Sequence, residues 1–286
     1  MFVCLLLSAC NVNRSTEVND AITPQAGHVG SFIWHDLVTD DIGAAKRFYS
    51  ELFGWQFVSA TSSNGRDYTL IKNQGQYFAG MVQLDDPADG EDYSRWLGYL
   101  SVSDVNTALS NTESKNGSIV IPGQTIEAIG RAAAIQDPQG AVVGLITSDL
   151  EKPEARNPPL HGDLVWNELL TSDPKNAAAF YQRLSGVSVE VIERRGGEYR
   201  LLESAGRKRA GIVQNPFVVS PSAWLSYFSV DDPVEMADKA KKLGGTILIA
   251  PVADVREGTL ALISDPTGAI LVLEQAGTAS QSGEIQ

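Results

Sequence analysis

Gly30-Ser31-Phe32-Ile33-Trp34-His35-Asp36-Leu37-Val38-Thr39 returns, lightly altered, as Gly162-Asp163-Leu164-Val165-Trp166-Asn167-Glu168-Leu169-Leu170-Thr171. The likeness runs on through Phe48-Tyr49 and Phe180-Tyr181 to Gly54 and Gly186, and then through Ala79-Gly80-Met81-Val82-Gln83 and Ala210-Gly211-Ile212-Val213-Gln214. It continues through 96–102 and 224–230, and it ends with Asp137-Pro138-Gln139-Gly140 against Asp265-Pro266-Thr267-Gly268. The offset drifts only from 132 to 128 residues, so nearly the whole chain reads as one domain written twice.

Each copy contains a shorter repeat. Residues 33–39 are β-branched and aromatic and read as a strand. Ile42, Ala45, Phe48, Tyr49, Leu52 and Phe53 then fall at helical spacing, with Asp40 or Asp41 as cap and Gly54 as stop. In the second copy Pro174 stands in the first helical turn behind Asp173, where its missing N–H costs nothing. Three short strands are expected around 55–60, 68–72 and 78–84. The pattern restarts at Trp96 with a strand, a helix from about Val105 and three more strands, the last two joined by the Asp-Pro turn. The chain is therefore α+β, with four βαβββ modules forming two tandem domains. One helix covers one face of such a module, so paired curved sheets should leave a concave trough suited to a ligand. The expected partition is a leader at 1–10, a tether at 11–27, domains at 28–147 and 161–275, a Pro- and charge-rich linker at 148–160 and a polar tail at 276–286.

Composition narrows the function. Lys and Arg total 22 against 35 Asp and Glu, a net charge of −13, which argues against nucleic acid or anionic headgroups as partners. The basic run Arg207-Lys208-Arg209 reads as a solvated hairpin turn. Cys4 and Cys10 are the two cysteines of the chain, so beyond Asn11 no disulfide, thiolate nucleophile or cysteine metal site is available. The three histidines, His28, His35 and His161, read as structural or solvated residues.

Leu7-Ser8-Ala9-Cys10, behind the apolar run 2–7, resembles a bacterial lipobox, which implies lipidation at Cys10 and a polar tether after it. The run is short and no Lys or Arg precedes it, so a longer signal peptide is expected upstream. The implied location is the bacterial cell envelope, with the membrane as partner through the lipid. Asn11 favours the periplasmic face of the outer membrane if the organism has two membranes.

Asp41 and, after six intervening residues, Phe48-Tyr49-Ser50-Glu51-Leu52-Phe53-Gly54-Trp55, followed by Val102-Ser103-Asp104 and Asp137-Pro138-Gln139-Gly140-Ala141, carry a family resemblance. Together they resemble the glyoxalase/bleomycin resistance/dioxygenase group, the vicinal oxygen chelate superfamily, over about 29–274. The duplicated form is similar to the tandem-domain group related to a mycobacterial culture-filtrate antigen. The resemblance implies two glyoxalase-like domains and a divalent metal in the trough, held by His, Gln or Glu from the first and last strands of each module. Seven residues before the capping aspartates, however, stand Trp34, Leu97, Trp166 and Leu225, and seven after the Asp of each Asp-Pro turn stand Gly144 and Val272. None offers a lone pair suited to a divalent ion. Gln83 and Gln214 lie near the one position per domain that cannot be registered, and a one-residue shift would place His35 on a ligand position. The expectation is that neither the superfamily metal nor another cofactor is used.

Strand alternation then furnishes the trough with ligand-binding candidates Trp34, Asp36, Tyr99 and Ser101 in the first domain, and Trp166, Glu168, Tyr227, Ser229 and Glu274 in the second, while Ile33, His35 and Leu37 should face the helix. An aromatic wall with a carboxylate suits a small flat or amphipathic molecule, a cation included. Three readings remain: a metal-free small-molecule-binding protein on a lipid anchor, a metal-dependent lyase or dioxygenase of the superfamily, and an interaction module whose troughs are filled. Oligomeric state is left open.

Overall fold

The computed structural model describes residues 29–61, 67–84, 94–126, 130–147, 156–194, 197–217 and 221–278. The leader with Cys10, the tether and most of the tail lie outside the described residues. Among the described residues, sixteen strands and four α-helices follow one another as four βαβββ modules. The first is β1 (Phe32–Thr39), α1 (Ile42–Phe53), β2 (Gln56–Thr61), β3 (Asp67–Asn73) and β4 (Gln76–Gln83). The second is β5 (Arg95–Ser101), α2 (Val105–Ser114), β6 (Ser118–Ile126), β7 (Gly130–Gln136) and β8 (Val142–Thr147). The third is β9 (Leu164–Thr171), α3 (Pro174–Ser185), β10 (Ser188–Arg194), β11 (Gly197–Ser204) and β12 (Arg207–Gln214). The fourth is β13 (Ala223–Val230), α4 (Pro233–Lys242), β14 (Thr246–Ile249), β15 (Leu260–Ser264) and β16 (Ile270–Gln275), with a single 3-10 turn at Arg256–Gly258.

The four described α-helices start in the same way. The side chains of Asp41, Asp104, Asp173 and Asp232 accept from backbone N–H groups of the first turn, each such cap being worth about 1 kcal/mol. Gly54 and Gly186 close α1 and α3 at φ 74° and 70°, a conformation that would strain a Cβ-bearing residue.

Modules one and two share one eight-stranded sheet, in the order β2-β3-β4-β1-β5-β8-β7-β6, and modules three and four repeat it. At its centre β1 runs antiparallel to β5, with Asp36 opposite Leu97 and Trp34 opposite Tyr99. β9 and β13 do the same, with Glu168 opposite Leu225 and Trp166 opposite Tyr227. The helix-bearing faces of the two sheets pack on each other. One core unites α1 and Leu37 of module one with α4 and Phe228 of module four, and the other unites module two with α3 and Leu202 of module three. Neither domain thus keeps a separate helix-side core, and the aromatic faces lie on the opposite, outer sides of the pair.

Paired bonds cross this interface. His35 Nε2 meets Asn167 Oδ1, its own repeat counterpart, at 2.8 Å. Tyr181 donates to Asp137 Oδ2 at 2.9 Å and accepts from Trp224 Nε1 at 2.8 Å. Tyr49 accepts from Trp96 Nε1 at 3.0 Å and stands near Asp265, whose charge, after burial, raises the phenol's pKa. Burial raises the pKa of both aspartates above the ordinary value, more than their hydrogen bonds lower it.

One expectation about facing fails. His35 and Leu37 do face the helix side, but Ile33 packs among the trough residues Leu97 and Tyr99. The register of β1 against β5 slips between Phe32 and Trp34, and this bulge breaks the strict alternation that placed Ile33.

Candidate functional site: two carboxylates under aromatic walls

In the first domain, the repeat positions on β1 bring Trp34 and Asp36 to the trough. Tyr68, from β3, donates to Asp36 Oδ1 at 2.7 Å, and Tyr99, from β5, donates to Oδ2 at 2.9 Å. The Trp34 indole N–H is shared between Asp36 Oδ1 at 3.1 Å and the Tyr68 oxygen at 3.0 Å. Asp36 is buried, and that burial raises its pKa despite the hydrogen bonds from Tyr68, Tyr99 and Trp34. The phenol of Tyr99 is in turn pushed well up by burial and by the Asp36 charge. Ser101 lies one pleat along β5, beside Ile146 of β8.

The second domain repeats this arrangement and adds to it. Tyr199 donates to Glu168 Oε2 and Tyr227 to Oε1, both at 2.6 Å, and the Trp166 indole N–H reaches the Tyr199 oxygen at 3.2 Å. Arg256 descends from the 3-10 turn, and its Nη2 lies 2.8 Å from both oxygens of Glu168. Its guanidinium also stands 5.5 Å from the centre of the Tyr227 ring. Burial pushes Glu168 upward, but the Arg256 charge and the hydrogen bonds of Tyr199, Tyr227 and Arg256 outweigh it, so its pKa falls below the ordinary value. Arg256 itself is raised, because the negative charge around it outweighs its own burial.

Glu274 stands two residues beyond Val272 on the same face of β16, beside Ser229 of β13. Its nearest cationic atom is Arg256 Nη1, 3.7 Å from Oε1, and its side chain is 1% exposed. Burial pushes its carboxyl up to about 7, with Glu168 raising it further and Arg256 opposing.

All nine trough candidates thus lie where the repeat places them. Two residue classes escaped sequence reasoning. Tyr68 and Tyr199 hold the far oxygen of each carboxylate, and each requires a glycine opposite. A Cβ on Gly80 would lie 1.8 Å from the Tyr68 oxygen, and one on Gly211 1.8 Å from that of Tyr199. The repeated Ala-Gly pairs at 79–80 and 210–211 were therefore the available signal. Arg256 is the other omission: it sits in an irregular turn where no hydrophobic period marks it.

A sequence model of the glyoxalase/bleomycin resistance protein/dioxygenase superfamily matches residues 25–145. The protein named "Putative glyoxylase CFP32" from Mycobacterium bovis is 34% identical over 239 residues, 83% of this chain and 91% of the relative. The chain belongs to this superfamily. The anthracycline biosynthesis protein DauV of Streptomyces sp. (strain C5) is 27% identical over 274 residues, covering 89% of this chain and 97% of its own. Among solved structures, the Mn(II)-bound glyoxalase from Novosphingobium aromaticivorans superposes with a TM-score of 0.55 at 14% identity, covering 87% of this chain and 83% of that one. The 2,3-dioxygenase LapB from Pseudomonas sp. KL28 gives 0.56 at 11%, covering 89% and 94%. These two likenesses establish the fold.

The superfamily metal does not fit the residues present. Strand register resolves the position that counting could not: Asp36 pairs with Gly80 as Tyr99 pairs with Gly144, and Glu168 pairs with Gly211 as Tyr227 pairs with Val272. The ligand positions are therefore Trp34, Gly80, Leu97 and Gly144 in one domain, and Trp166, Gly211, Leu225 and Val272 in the other. No side chain among them is a metal donor. Gln83 and Gln214 instead bond the backbone where α1 and α3 begin, at Asp40 and Ser172. Among the described residues, no group of three His, Cys, Asp or Glu is gathered closely enough to hold an ion.

Proposed function

We propose that this member of the superfamily binds a small flat or amphipathic organic molecule without the superfamily metal, in the trough of its second domain, while a lipid on Cys10 keeps it at the cell envelope. The donor set carries the metal-free part: apolar or bare backbone positions stand wherever relatives would present ligands, and the acids sit one pleat away, bonded to tyrosines. The difference between the troughs favours the second. In the first, Asp36 is satisfied by the protein's own donors, and the apolar Ile146 stands where the second has an acid. In the second, Glu274 brings an acid under the Trp166 and Tyr227 wall that its neighbours leave incompletely bonded. The anthracycline biosynthesis named for DauV is consistent with a flat ligand.

Three measurements test this. Purified, chelator-free protein should carry no stoichiometric Zn, Fe, Mn or Ni, and one ion per domain would overturn the metal-free reading. Calorimetric titration with the flat alcohol 1-naphthylmethanol should show binding that Trp166→Ala weakens tenfold or more and Trp34→Ala leaves alone. Unchanged titrations with both variants would remove the second trough as the site. Cys10→Ser should move the protein to the soluble fraction, and retention at the membrane would defeat the anchor.

A further inference from the structure

The two troughs are copies of one another in Trp, acid and paired tyrosines, but not at the next pleat. There, Ser101 stands beside Ile146 in the first domain and Ser229 beside Glu274 in the second, each on a parallel pair of strands. Ile146 is an apolar core residue of its trough. Glu274 is as deeply buried, yet its Oε2 makes no hydrogen bond, and the neighbouring Ser229 hydroxyl makes none either. Buried polar atoms are nearly always bonded, so these two exceptions, with the unbonded Thr278 hydroxyl beside Glu274 as a third, point to a missing partner.

The surroundings indicate what that partner is. Arg256 offers an incoming anion little, because its Nη2 is engaged by both oxygens of Glu168 and by the Tyr227 hydroxyl. Arg194, at the end of β10, stands 5.0 Å over the Tyr199 ring and pulls only weakly on Glu274. Glu168 faces Glu274 from β9 and repels its charge, and the Thr278 hydroxyl, just beyond β16, acts on it as a weak hydrogen-bond donor that lowers its pKa without closing a full bond. An N–H donor, in contrast, finds two acceptors on one face, one pleat beyond Tyr227. A cation there also offsets the mutual repulsion of two carboxylates that share one close guanidinium.

We propose that Glu274 and Ser229 form the recognition end of the second trough for a protonated primary amine carried on an apolar or aromatic body. This rests on the small-molecule-binding reading above and specifies its ligand. The ammonium group donates to Glu274 Oε2 and Ser229 Oγ, and any proton held by Glu274 passes to solvent as the complex forms. Since that carboxyl titrates at about 7, amine affinity rises roughly 30-fold from pH 5.5 to pH 8, following the ionised fraction.

The test is calorimetric titration of the full chain with 1-naphthylmethylamine and the neutral 1-naphthylmethanol. The expected result is an amine preference of tenfold or more at pH 8 that shrinks toward pH 5.5. Glu274→Gln should abolish the preference, and Ser229→Ala should reduce it a few-fold, which keeps the test open should the first variant fold poorly. Equal binding of both probes, or a preference that survives both substitutions, would overturn the amine assignment alone. Tighter binding of 1-naphthoate than of the amine would assign the site to anions and likewise overturn it. Failure of all three probes to bind wild-type protein would overturn the small-molecule reading as well.

Discussion

The two troughs solve one problem, a buried carboxylate on the central strand of a curved sheet, in different ways. Asp36 has three neutral donors and no close cation among the described contacts, and its pKa is raised. Glu168 has two tyrosines and an arginine, and its pKa is lowered despite equally deep burial. Hydrogen bonds from phenols and an indole are therefore insufficient to offset desolvation here, while one guanidinium added to two phenols is enough. The second domain then places another acid, Glu274, within reach of the same guanidinium, where it remains half-compensated. The first domain holds a closed structural network; the second holds charge that responds to its surroundings.

The most direct way to break this contrast is to remove the cation. Arg256→Met leaves Glu168, 3% exposed, with its phenols and no counter-charge. Loss of one partner of a buried pair costs about 3–5 kcal/mol, which urea denaturation at pH 7 would report. The variant should also lose stability as pH rises, since Glu168 then joins Asp36 with a raised pKa. A loss under 1 kcal/mol would show that the tyrosines alone keep the acid charged.

A smaller effect sharpens the same comparison by making the second trough like the first. Glu274→Ile installs the counterpart of Ile146. Because Glu274 is raised from 4.5 to about 7, its contribution to stability is fully present below about pH 4.5 and is lost as pH rises through 7. Between pH 4 and pH 8 the stability of the variant relative to wild type should therefore improve by about 3 kcal/mol. Denaturant midpoints at the two pH values measure it, and a difference independent of pH would place the titration elsewhere.

How much of this was legible beforehand depends on how local each signal is. The strands, the Asp caps and the glycine stops arise from patterns of two to four residues, and Asp41 with Gly54, or Asp173 with Gly186, mark helix ends that the structure reproduces. The trough positions of Asp36 and Glu168 follow from strand period. Ile33 shows where that period fails, because a bulge is set by pairing with β5 and leaves no mark on β1 itself. The Phe-Tyr and Asp-Pro-x-Gly motifs were legible as family marks but not as a contact. Tyr181 reaches Asp137 across the domain interface, and only assembly of two cores, each drawn from both domains, brings them together. Tyr68 and Arg256 illustrate the same limit inside a domain. What they touch is decided by strand order and by an aperiodic turn.

The smallest effect concerns the glycines that seat the far tyrosines. A methyl on Gly80 would meet the Tyr68 oxygen at 1.8 Å and Asp36 Oδ1 at 2.5 Å, whereas the three nearest atoms to one on Gly211 all belong to the Tyr199 ring and hydroxyl. Overpacking of this kind costs about 1–3 kcal/mol, depending on what can move. In the second trough a tyrosine alone must give way. In the first, the methyl also displaces the carboxylate from donors that no cation can replace. Gly80→Ala should accordingly cost more than Gly211→Ala, by about 1 kcal/mol, the worth of one such hydrogen bond in denaturant unfolding. Equal losses would mean that Asp36 shifts as freely as the tyrosine, and that its three donors position it no more tightly than the arginine positions Glu168.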